Sequence, residues 1–148
     1  MTVIANDPAA FADEAIRGFA DAFGDVVMQV PGGVVRATTT PRGKVAVVVG
    51  GGSGHYPAFA GLVGHGFADG AVVGNVFTSP SAADVESVVR HAVSDEGAVV
   101  LTGNYAGDVM NFTLATQALA ADGIDARYLV VTDDLASAPP EDQHLRRG

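Results

Sequence analysis

The 148-residue chain has no cysteine, no tryptophan and a single lysine, Lys44. Without cysteine, disulfides and thiolate chemistry are both closed to it, which fits a reducing, cytoplasmic setting. Cations are scarce: eight Lys and Arg stand against 17 Asp and Glu, a formal net charge of −9. Binding a phosphate backbone or an anionic membrane needs clustered Lys and Arg, so neither nucleic acid nor membrane is an expected partner. Uninterrupted apolar runs are also lacking. The longest candidate, residues 45–64, is broken by Gly50, Gly51, Gly52, Gly54 and Pro57, and in lipid the amides of such a loop would have no partners. The opening residues, MTVIANDPAAFADEA, carry no basic segment followed by an apolar one and do not read as a secretory signal.

Glycine is abundant. Its nineteen copies lie between short apolar runs and not in one tract, which points to tight loops and close packing, not disorder. The length suits one domain, 1–148, able to bury roughly 70% of the surface its unfolded chain exposes.

Asn6 or Asp7 before Pro8 reads as the cap and first turn of a helix. Phe11, Ala15, Phe19 and Phe23 then recur every fourth residue and predict one apolar face, with Gly24 as the stop. VVMQV and VVRAT flank PGG and read as a hairpin. Beyond it a rhythm sets in. Strands are expected at 44–49, 71–74, 98–102 and 127–132, and helices near 57–65, 82–93 and 108–121. Alternating short apolar strands and helices mean βαβ units. The expected class is therefore α/β, a mostly parallel sheet in three layers with an N-terminal helix and hairpin. Residues 135–148 show no apolar period and read as an exposed tail.

In open α/β sheets, ligands bind beyond the carboxyl ends of the strands. Ser53, His55, Asn75, Thr78, Ser79, Asn104, Asp108, Asp133 and Asp134 all fall at such exits. The most suggestive exit is VAVVVGGGSGHYP, residues 45–57. It is not a P-loop, since no Lys follows GGGSG. It is not a dinucleotide fingerprint either, since counting from Gly50 or Gly52 puts His55 or Pro57 where the last glycine belongs. Its bare amides remain available to some other anion. A G-x-S-x-G nucleophile elbow matches four positions and fails at His55, so a Ser53–His55–Asp108 hydrolase stays open as a minor reading. His55, His65, His91 and His144 lack zinc-ligand spacing.

GGGSGHYPAFAGLVGHGFADGAVVGNVFTSPSA, followed by NYAGDVMNF, VVTDDLAS and RRG, resembles the substrate-binding K domain of the dihydroxyacetone kinases, whose pattern runs GGGSGHEP, FTSP, NYTGDxxNF. The resemblance covers essentially the whole chain and implies the first, DegV-like lobe of such a domain. It implies that Gly52, Ser53 and Gly54 contact the ketone end of a small ketose. His55 would hydrogen-bond the substrate and move a proton, and Asp108 would sit at the terminal hydroxyl that receives phosphate. Gly103 stands where the family often has a substrate-contacting Lys, and Tyr56 where it has an acid; both changes suit a longer ketose, such as erythrulose. K domains are about twice this length, so the resemblance also implies a missing second lobe. ATP and magnesium, or a phosphotransferase relay, would act through a separate helical domain or subunit, with no cofactor on this lobe. It further implies a homodimer, and a chain that is inactive alone. A non-catalytic ketose-binding or regulatory module is the alternative.

Overall fold

A computed structural model describes residues 6–55 and 58–148. Asp7 accepts a hydrogen bond from the Ala9 amide (2.9 Å) and opens a one-turn 3-10 helix, Pro8–Ala10, that runs into α1, Phe11–Ala22. The buried side of α1 is not the expected stripe. Ile16, Phe19 and Ala20 pack on the sheet, whereas Phe11 and Phe23 stay exposed. A strict four-residue repeat slips about 40° around the helix at each step, so only its middle can face a flat partner.

The hairpin forms as expected from β1, Val27–Val30, and β2, Gly33–Arg36, paired antiparallel. Four parallel strands follow: β3, Ala46–Gly52; β4, Gly70–Gly74; β5, Ala98–Gly103; and β6, Ala126–Val131. The sheet order is β1-β2-β4-β3-β5-β6. Helices α2, Ala82–Ala92, and α3, Ala106–Ala121, carry the crossovers. Ser81 starts α2 with a capping box: its hydroxyl accepts from the Asp84 amide while the Asp84 carboxylate accepts from the Ser81 amide.

Side-chain alternation in β3 divides the core. Val48, with Val72 and Val100, meets Val85, Val88 and Val89 of α2 and Phe112, Ala115 and Leu119 of α3. Val49, on the opposite face, packs with Val34, Ala71, Phe19 and Phe59. Leu129 and Val131 of β6, along with Leu62 and Phe67, remain exposed.

Two expectations change. The helix near 57–65 is absent from 58 onward, where a single 3-10 turn, Ala60–Leu62, stands in its place. Phe59 leads into that turn at φ 65°, outside any right-handed helix, and Gly61 and Gly64 weaken helix further. Residues 135–148 carry more order than a tail without period suggests. They include a 3-10 segment, Pro140–Leu145, and a buried Arg146 whose Nε donates to the Ala138 carbonyl (2.8 Å). Asn104 ties this segment to the β5 exit by donating to the carbonyls of His144 and Arg146 (3.2 and 2.9 Å).

Candidate functional site

Strand β3 does not stop at the glycines. Gly50, Gly51 and Gly52 continue the ladder opposite Val72, Val73 and Gly74. Alternation then explains why each lacks a side chain. A methyl group on Gly50 would lie 2.8 Å from the Phe112 ring, and one on Gly51 2.6 Å from the Phe59 ring. Beyond the strand, a methyl on Gly54 would lie 2.2 Å from the Val76 carbonyl oxygen, and one on Gly74 2.4 Å from that of Thr78. The glycines admit two rings from opposite faces and let the β3 and β4 exits touch. The amides are engaged as well: Ser53 donates to the Asn75 carbonyl (3.2 Å) and Gly54 to the Val76 carbonyl (2.9 Å). The anion-binding role left open for these amides is therefore withdrawn.

Three strand exits converge on one cavity of about 430 Å³. The β3 exit contributes His55, the β4 exit Phe77, Thr78 and Ser79, and the β5 exit Tyr105 and Asp108. This is where an open sheet forms a crevice: β3 leads on to the α1 face and β5 to the opposite face, so their exits diverge. The His55 ring lies between two aromatics, edge-on to Phe59 (5.8 Å between centroids) and tilted to Tyr105 (5.9 Å). Such contacts fix the orientation of an imidazole without consuming its nitrogens.

Asp108 occupies the first turn of α3, where the helix dipole favours a carboxylate. Its residue is 7% exposed, and Oδ1 has no hydrogen-bond partner among the described residues. Burial raises the proton affinity of this carboxyl, against the opposing pull of the Ser79 hydroxyl and the His55 ring. A buried acceptor without a donor costs stability, and a hydroxyl entering the cavity would supply that donor.

The remaining candidates separate. Gly52 and Gly54 line the same cavity as His55 and Asp108. Ser53 does not; it lines a cavity beneath α1 with Ile16, Phe19 and Phe59, and its Oγ is buried without a partner among the described residues. The Ser53–His55 relay that a hydrolase needs is not formed. Gly103 lines an adjoining cavity of about 570 Å³ that shares His55, Tyr105 and Asp108. Asn75 bonds the Val76 amide, Asn104 holds the C-terminal segment, and Asp134 caps the Ala136 amide; these serve the loops. Asp133 lines neither cavity. Tyr56 lies outside the described residues. Tyr105 and Asn111 carried no role in the sequence reading, although both fall inside the NYAGDVMNF motif.

The Dak1 domain model matches residues 17–148. The chain belongs to the Dak1 family. Over all 148 residues it is 62% identical to D-erythrulose kinase of Mycolicibacterium smegmatis and spans 26% of that protein. Among solved structures, 99% of the chain superposes on 28% of the dihydroxyacetone kinase from C. freundii, crystallised with AMP-PNP and Mg2+, with a TM-score of 0.87 and 31% identity. The same Dak1 fold recurs in the dihydroxyacetone kinase operon co-activator Dha-DhaQ: TM-score 0.77, 31% identity, 82% of this chain and 38% of that one. This Dak1 chain thus spans about a quarter of the length of those two kinases. The mostly parallel α/β sheet expected from the sequence is the Dak1 kinase fold.

Proposed function

We propose that this lobe binds a short ketose, dihydroxyacetone or a tetrulose, and in the full-length protein presents the sugar's terminal hydroxyl for phosphorylation. The observation that carries this reading is the Asp108 carboxyl, buried and incompletely partnered, in one cavity with His55. Asp108 accepts the hydroxyl proton as the oxygen attacks the γ-phosphorus. Its proton affinity, raised by burial, makes the ionised form a stronger base. His55 hydrogen-bonds the ketone end and can pass a proton there. Gly52 and Gly54 bring the chain close enough for backbone contact. The adjoining cavity at Gly103 supports room for a fourth carbon, in keeping with the erythrulose kinase relative.

The described residues do not fit a nucleotide. Lys44 is bound to Asp69 at the far end of β3, and the exit amides are engaged. Among the described residues no three His, Asp or Glu converge as a metal site. ATP and magnesium, or a phosphotransferase relay, belong to another domain or subunit in this reading, and the lobe alone does not phosphorylate. The exposed Leu62, Phe67, Leu129 and Val131 support a second lobe over that face.

The test is phosphorylation of dihydroxyacetone, D-erythrulose and L-erythrulose by the full-length protein, with ATP and with a phosphotransferase relay as the donor. Turnover of at least one ketose is expected. Ketose binding with no turnover from either donor would overturn the kinase and favour a non-catalytic module, the second reading, which the structural likeness to an operon co-activator supports.

A further inference from the structure

Asn111 lies one turn after Asp108 on α3 and faces the β4 exit. Its side-chain amide donates to the Pro80 carbonyl (2.9 Å) and, at longer range, to the Ser79 hydroxyl oxygen (3.4 Å). An Asn amide has two hydrogens, and both are thereby directed at one loop. On the same side of the helix, a methyl on Gly107 would come within 3.1 Å of Ser79 Cβ. Loop and helix are in contact at Ser79, held from Gly107 and from Asn111.

This arrangement constrains a proton. The Ser79 hydroxyl accepts from Asn111, so its own hydrogen must point elsewhere. One acceptor, the Pro80 carbonyl, takes the Ser79 hydroxyl at 3.2 Å in the structure and also receives the Asn111 amide. The other is the Asp108 carboxylate, lining the same cavity as Ser79. An anionic acceptor wins over a carbonyl that is already engaged, because hydrogen bonds to charged groups are the stronger ones.

We propose that Asn111 is a positioning residue: its amide clamps the Ser79–Pro80 loop onto α3 and turns the Ser79 hydroxyl into a donor to Asp108. It touches neither ketose nor phosphate; it acts through Ser79. The consequence is a base kept ionised despite its burial. The other titratable groups facing Asp108 are His55 from the β3 exit, Tyr128 from β6 and Tyr105 from its own loop. His55 favours the carboxylate, burial pushes the Tyr128 phenol up, and only the Ser79 donor depends on Asn111. The inference rests on Asp108 being the base, as proposed above.

The experiment compares Ser79→Ala, Asn111→Leu and the double variant in the full-length protein. Two readouts are taken: the pH profile of kcat/KM, and the titration of the Asp108 carboxyl by carbon-13 NMR of labelled aspartate, assigned with Asp108→Asn. Loss of a hydrogen bond to a carboxylate should raise the Asp108 pKa by about one unit. The acid limb of kcat/KM should move up with it. Asn111→Leu should give the same displacement, and the double variant should move no further than either single one. Ser79→Ala removes one oxygen and leaves the loop clamp in place, so it tests the donor even where Asn111→Leu fails to fold. Unmoved titration in Ser79→Ala would overturn the proposal. So would an Asn111→Leu protein that loses turnover at every pH alike, or displacements that add. The NMR titration reads Asp108 whether or not any ketose is phosphorylated. An inactive protein with the displaced titration would therefore fault the kinase reading and leave the Asn111–Ser79 link standing.

Discussion

Replacing Gly54 by alanine tests whether the glycines of the β3 exit serve close packing. Gly54 is not among the residues at positive φ, so a methyl there adds no backbone strain and its cost is steric. The new carbon would lie 2.2 Å from the Val76 oxygen, where real contacts stay beyond 3.0 Å. The β3 and β4 exits must then part by the difference, at least about 0.8 Å. That stretches the Gly54–Val76 hydrogen bond of 2.9 Å past 3.5 Å and strains the Ser53–Asn75 bond beside it. At about 1 kcal/mol for each net hydrogen bond, the loss of stability should be about 1–2 kcal/mol. His55 is the next residue, and a displacement near 1 Å at a reacting group costs about 100-fold in rate. Urea unfolding should therefore show a modest change and kcat/KM of the full-length protein, on the proposed kinase reading, a severe one. Gly18→Ala is the control: nothing lies within 4 Å of a methyl there, and in mid-helix the change should stabilise by about 0.5–1 kcal/mol. If Gly54→Ala keeps wild-type kcat/KM, the packing account of these glycines is wrong.

Asp108→Asn should abolish most turnover while leaving ketose affinity largely intact, measured as kcat against KM. It should also raise the melting temperature at neutral pH. The folded-state pKa of Asp108 is raised by burial, so its contribution to stability is full below the unfolded value and lost as pH rises through the folded one; the gain from Asn should shrink as pH falls through the folded value and be gone by about pH 4, the unfolded value. Asp69 behaves oppositely. Burial works to raise its pKa, but Lys44, the Val47 amide and Arg36 outweigh burial and hold it below the usual range. Its stabilisation is present above the unfolded value and lost as pH falls through the folded one. Asp69→Asn should cost about 3 kcal/mol at pH 7, the lower end for breaking a buried pair because Lys44 is partly exposed. Urea midpoints at pH 7 and pH 3 check this, and an unchanged midpoint at pH 7 would refute it.

Local signals carried most of the fold. The Pro-Gly hairpin turn and the apolar run that opens β3 each depend on neighbours in sequence, and both gave the strands expected of them, β3 running on through the glycines. What failed depended on distant neighbours. The four-residue repeat in α1 identifies an amphipathic helix but not which part of a drifting stripe meets the sheet. Phe59 leaves the helical region where its ring covers Gly51. Asn111 looked like one letter of a motif; its use appears only when α3 lies against the β4 exit, 31 residues earlier in the chain. The nine polar residues at strand exits were chosen by one rule, and four of them, His55, Thr78, Ser79 and Asp108, line the main cavity. The rule locates the crevice end of the sheet but cannot say which exit side chains turn inward.

The glycine triplet shows why a loop of this composition misleads. A phosphate loop needs free amides and a cation; this exit has its amides bonded across to β4, and the chain's one lysine lies at the other end of the strand. The glycines allow three exits to crowd together until an imidazole and a carboxyl, 53 positions apart, line one small cavity. An uncharged polyol suits such a site better than a phosphate does. Its hydroxyls can donate to Asp108 Oδ1, buried without a partner among the described residues, whereas a phosphate would bring a second negative charge beside Asp108 with no lysine or arginine among the described residues lining the cavity to balance it.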